Sequence, residues 1–103
     1  MSIRKQKGSK DLEKRLGKMT LGEFISTWRI TEELSQKELG KKIGISVSNL
    51  CDIEKGRQVV SPAKAEQIAK ALGVPPQLLV RLAIEESLHE AGLKYSIEVN
   101  PAA

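Results

Sequence analysis

The chain has 103 residues, 40% of them hydrophobic and 29% charged, with a formal charge of +4. That length suits one small domain with extensions, and three aromatic residues (Phe24, Trp28, Tyr95) leave a core of Leu, Ile, Val and Ala, which favours an all-α fold. A single cysteine excludes an internal disulfide, and no apolar stretch is long enough for a secretory h-region or a membrane span, so a cytoplasmic location is expected.

Charge is distributed unevenly. Residues 1–19 hold seven Lys/Arg against two Asp/Glu, residues 20–72 eight against seven, and residues 73–103 two against four. The first segment reads as a basic N-terminal arm, suited to a phosphate backbone or else simply solvated. Within it Ser9 can cap a short helix from Lys10 to Leu16, with Leu12 and Leu16 four apart and Gly17 as an interruption.

From residue 20 the helical signals are regular. Thr20 and Glu23 have capping-box spacing, and Leu21, Phe24, Ile25 and Trp28 form an apolar stripe, which predicts a helix from Thr20 to about Glu32. Glu33 stands where a glycine would end that helix more easily. Ser35 and Glu38 form a second capping box, Leu39 and Ile43 recur four apart, and Gly44 ends the second helix. Gly40, in mid-helix, lets a third helix cross close by. Ser46 caps that third helix, Val47 to about Glu54, and Gly56 closes it.

At 100° per residue the third helix turns Leu50, Ile53 and Glu54 to one side and Ser48, Cys51, Asp52 and Lys55 to the other, with Val47 and Asn49 flanking the exposed side. Short and polar side chains near a helix N-terminus are what reading of base edges in a major groove requires. Val59 and Val60 are expected at the core edge. Ser61 caps a fourth helix, Pro62 to Leu72, with Ala65, Ile68, Ala69 and Leu72 inward and Gly73 at its end. Pro75-Pro76 opens a last helix to about Ala91. Leu78, Leu79, Val80, Leu82, Ala83, Ile84 and Leu88 cover more than one of its faces, more than a monomer's core needs. This predicts a homodimer through the last helix, or packing by the following segment. Residues 93–99, LKYSIEV, alternate apolar and polar and read as a short strand that pairs with its symmetry mate, folds back or stays loose.

Gln36, Leu39, Gly40, Ile43, Gly44, Ile45, Leu50 and Ile53, with L-S-Q-x-E-L at Leu34–Leu39 and A-x-x-I-A-K-A-L-G-V at Ala65–Val74, resemble the phage-repressor-like helix-turn-helix family (lambda repressor, Cro, Xre regulators). The resemblance covers about Thr20 to Leu82. It implies a five-helix lambda-repressor-like DNA-binding domain over 20–91, between the arm at 1–19 and an extension at 92–103. Gly40 stands where the family usually has alanine. Val47 and Asp52 replace glutamines of some phage repressors, so their sequence preference does not transfer.

The resemblance also assigns roles. The helix Val47–Glu54 would read the major groove through Val47, Ser48, Asn49 and Asp52. Asp52 would either accept from a cytosine amine or repel phosphate. Gln36, Ser46, Lys55 and Arg57 would hold phosphates. Arg29 and Glu54 occupy positions that commonly pair in the family, and the inward placement of Glu54 independently asks for a partner. The partner implied is double-stranded DNA with an inverted-repeat operator, its half-sites about one turn apart.

Catalytic residues are not expected. One His (His89, on a polar stretch) and one Cys supply no metal site, and the glycines form no phosphate loop, so neither metal nor cofactor is predicted. Cys51 lies on the exposed side of the third helix, where it reads first as an inert thiol and second as a site whose oxidation would obstruct DNA entry. Three roles fit: a transcriptional regulator acting as repressor, an antitoxin that also holds a toxin protein, and a protein-binding module of the coactivator or anti-repressor kind.

Overall fold

A computed structural model describes residues 19–102. The basic arm, with its expected helix over 10–16, lies outside the described residues. Those described form five α-helices: α1 (Leu21–Thr31), α2 (Gln36–Ile43), α3 (Val47–Glu54), α4 (Pro62–Leu72) and α5 (Pro76–Glu90). The fold is all-α, as the periodicity predicts.

Local chemistry accounts for the boundaries. Thr20 Oγ1 accepts from Glu23 N–H and Thr20 N–H donates to the Glu23 carboxylate, so the expected capping box starts α1. Ser35 and Glu38 repeat the arrangement at α2. Ser46 and Ser61 cap α3 and α4 through Asn49 N–H and Lys64 N–H. Glu33 follows the α1 cap at φ +58, a left-handed conformation that a non-glycine residue adopts at a cost. It carries the sharp turn between α1 and α2.

The core is aliphatic. Leu21 and Ile25 of α1, Leu39 of α2, Leu50 and Ile53 of α3, Ala65, Ile68 and Ala69 of α4, and Leu79, Leu82 and Ala83 of α5 are all buried. Phe24 and Trp28 pack against them from the rim. α4 and α5 share the most extensive contact, and α3 is held against both α1 and α2. Two glycines permit that seating. A Cβ on Gly22 would collide with the Ile53 carbonyl oxygen, and one on Gly40 would sit 2.5 Å from that of Ile45.

Two sequence expectations change. Val60 enters the core but Val59 is 43% exposed, because the loop turns one valine of the adjacent pair outward. α5 ends at Glu90 with Ala91 as its cap residue, within a residue of the expected bound. Residues 93–99 form no strand. After Gly92, at φ +79, the segment runs back along α5, from Leu93–Ser96 beside Leu82, Glu85 and His89 to Val99–Ala102 beside Pro76 and Val80. Ile97 N–H donates to the Glu85 carboxylate at 3.1 Å. With no second strand among the described residues, a side chain of α5 supplies that acceptor. The segment thereby lies beside part of the apolar surface of α5.

Candidate nucleic-acid interface

The interface is built on α3. Its inner side is fixed by Leu50 and Ile53, 0% and 3% exposed, and its last residue is clamped. Arg29 donates to Glu54 from Nε at 2.8 Å and from Nη2 at 3.0 Å, and from Nη1 to the Leu34 carbonyl at 3.0 Å. One guanidinium thereby ties α1, the α1–α2 turn and the end of α3. The hydrogen bonds to Glu54 raise the Arg29 pKa above its ordinary value against the opposing effect of burial. This is the expected ion pair.

Gln36 joins the cluster. Its Nε2 donates to Glu54 Oε1 at 3.2 Å. The carboxamide has a second N–H, so the side chain expected at a phosphate is also held by the ion pair. The first residue of α2 and the last of α3 are thus locked together.

The outer side of α3 presents the remaining expected residues. Val47 is 45% exposed, Ser46 and Ser48 are exposed, and Asn49, Cys51 and Asp52 are partly so. Ser46 Oγ accepts from Asn49 N–H at 3.1 Å, which leaves its hydroxyl hydrogen as a donor toward the outside. Lys55 and Arg57 are exposed just beyond the helix. Arg57 does not stand free: its Nη1 lies 3.4 Å from Asp52 Oδ1. Val47, Ser48, Asn49 and Asp52 are the solvent-accessible residues expected to read bases, with Ser46 at the α3 cap and Lys55 and Arg57 just beyond its end, whereas the Gln36 side chain is turned to Glu54.

Sequence reasoning missed Lys64. With Gln58 of the loop after Gly56, it lines a cleft shared with Asn49, Ser61 and the inward-facing Ile53 of α3. The visible signal was Lys64 in the first turn behind the Ser61 cap. Its proximity to Asn49 depends on the path of the α3–α4 loop, which Val60 anchors.

A second missed residue is Glu86. Its carboxylate accepts from Leu21 N–H at 2.7 Å and caps α1 from the far end of the chain. Among the described residues, no group of three or more His, Cys, Asp or Glu is placed to hold a metal ion, and no helix is long and apolar enough to cross a membrane.

Two buried-backed helices joined by a tight turn, the second carrying an open polar face, define a helix-turn-helix protein. The chain belongs to the helix-turn-helix domain family, whose model matches residues 20–82. It is similar to the immunity repressor protein of Bacillus phage phi105, 37% identical over 62 residues. That match takes in 60% of this chain and 43% of the repressor, so the chain spans less than half the length of this curated relative. No solved structure gives a significant match.

Proposed function

We propose that this protein is a sequence-specific DNA-binding transcriptional regulator, acting as a repressor, that lays α3 in the major groove. The observation that carries the reading is the division of α3: Leu50, Ile53 and Glu54 fix one side while Val47 and Ser48 stand open at its N-terminus. An immobilised helix with short side chains at its leading end fits a groove and meets base edges without first having to be ordered. The similarity to a phage immunity repressor supports repression as the outcome.

Val47 would meet a thymine methyl, and Ser48 and Asn49 would hydrogen-bond base edges. Ser46, Gln36, Lys55 and Arg57 would hold phosphates, joined by Lys64. The protein would work in the cytoplasm as a homodimer through α5 and its returning segment, where Leu93 and Tyr95 remain 45% and 66% exposed. Those two residues also favour a second reading, in which that surface holds a protein such as a toxin. No catalytic step is assigned to any of these groups.

Selection from random-sequence duplex DNA at two salt concentrations tests the reading. Enrichment of an inverted repeat with half-sites about one helical turn apart is expected. Weak binding that salt erases, with no enriched sequence, would contradict it.

A further inference from the structure

Asp52 lies four residues after Ser48, one turn further along the open face of α3. Gly56, at φ +76, then reverses the chain. The turn returns Arg57 to the same place: its backbone N–H donates to the Asp52 carbonyl at 2.8 Å, and its guanidinium reaches the Asp52 carboxylate at 3.4 Å. The acid on the candidate reading face and a base beside it therefore form an internal pair. Both are accessible, with side chains 39% and 60% exposed, so the pair is weak in water and open to competition.

We propose that Asp52 is a specificity-determining residue that acts through Arg57, by competing with DNA phosphate for the guanidinium. The proposal rests on the DNA-binding reading above. When any duplex approaches, a phosphate can take Arg57 only by leaving a carboxylate unpaired beside a polyanion. If the pair persists, one phosphate contact is forgone. Either way, binding through the backbone alone is weakened on every sequence. Contacts from Val47, Ser48 and Asn49 offset that loss only where the bases fit. Asp52 thus widens the gap between operator and bulk DNA without reading a base itself.

The neighbouring charges support this assignment. Among the described residues, Glu54 is the other carboxylate on α3, and it is occupied by Arg29 and Gln36. Lys55 follows α3 with no ion pair to Asp52. Neutralising Asp52 therefore frees one particular cation.

The test compares wild type, Asp52→Asn, Arg57→Ala and the double variant on the selected operator and on random-sequence duplex, across a salt series. Circular dichroism confirms that each variant folds. Asp52→Asn should bind random duplex about three- to tenfold more tightly, with a salt slope steeper by about one, the size of one added phosphate contact. Arg57→Ala should weaken binding more when combined with Asp52→Asn than when made in wild type. A changed base preference at a single operator position, with random-duplex affinity unaltered, would overturn the proposal and make Asp52 a base reader. Equal effects of Arg57→Ala in both backgrounds would also overturn it. If wild type bound no duplex, the DNA-binding reading itself would fail, whereas a wild type that binds alongside an inert Asp52→Asn would remove only the role of Asp52.

Discussion

Arg29 grips Glu54 with two parallel N–H···O bonds, 2.8 Å from Nε and 3.0 Å from Nη2, across 25 residues of sequence. The pair is largely withdrawn from water, with side chains 17% and 6% exposed. It fixes α3 against α1 at the end opposite the open leading residues. Such pairs orient more than they stabilise, but removing one partner strands the other charge. Glu54→Ala or Arg29→Ala should lower unfolding free energy by about 3–5 kcal/mol in urea titrations. Replacing both with apolar residues of similar volume should recover most of the loss. A loss below about 1 kcal/mol for the single variants would assign them to the surface class and contradict the clamp.

Gly22 sets how closely α1 approaches α3. A Cβ there would collide with the Ile53 carbonyl oxygen and lie 3.0 Å from that of Glu54, and backbone atoms cannot swing aside. Gly22→Ala gains helix propensity worth about 1 kcal/mol, yet the forced separation should outweigh it and leave a net loss of about 1–3 kcal/mol. Thermal unfolding measures the sign. A stabilised variant would mean that the two helices separate without strain.

Glu86 links stability to pH. Withdrawal from water raises its pKa above the ordinary 4.5, the Leu21 N–H acts in the opposite direction, and the charges of Glu23 and Glu90 add to the rise. A carboxyl with a raised folded pKa holds its proton more firmly in the folded state. Its contribution is therefore full below its unfolded value and is lost as pH rises through the folded one. Glu86→Gln retains an oxygen to accept from Leu21 N–H and carries no charge. It should flatten this fall as pH rises above the ordinary 4.5 and be at least as stable as wild type at neutral pH. Glu86→Ala removes the cap and should cost about 1 kcal/mol at neutral pH. An unchanged pH profile for Glu86→Gln would contradict this account.

The segment after Gly92 runs beside Leu78 and Val80, half-buries its own Ile97 and Val99, and lends Ile97 N–H to Glu85. Ending the chain at Gly92 should therefore lower stability by about 1–3 kcal/mol, the scale of losing that hydrogen bond and two half-buried aliphatic side chains. Equal stability of the shortened chain would show that the segment contributes nothing to the folded core.

The elements legible in the sequence were those governed by local chemistry. Two capping boxes, serine caps and glycine stops marked the five helices to within a residue or so, because each signal acts over three or four positions. The inward side of α3 was legible for the same reason, and it placed Glu54 correctly. The misses involve distance along the chain. Glu86 caps a helix 65 residues away, and the Gln36 tether to Glu54 spans 18. Asp52 and Arg57 are close in sequence, but their meeting depends on the turn at Gly56. LKYSIEV had the alternation of a strand and lacked a partner strand, so its backbone took an acceptor from α5. Val59 and Val60 show that adjacent apolar residues in a loop need not share a direction.

The central claim is that α3 reads bases while its surroundings hold the backbone. It is tested most directly by measuring Ser48→Ala and Lys55→Ala on the selected operator, on its single-base-pair variants and across a salt series. Ser48→Ala should alter discrimination at one base pair by about 1–3 kcal/mol and leave the salt slope unchanged. Lys55→Ala should weaken every sequence alike and reduce the slope by about one. If both variants lost affinity uniformly with no change of preference, α3 would not be the reading element and the account would be wrong.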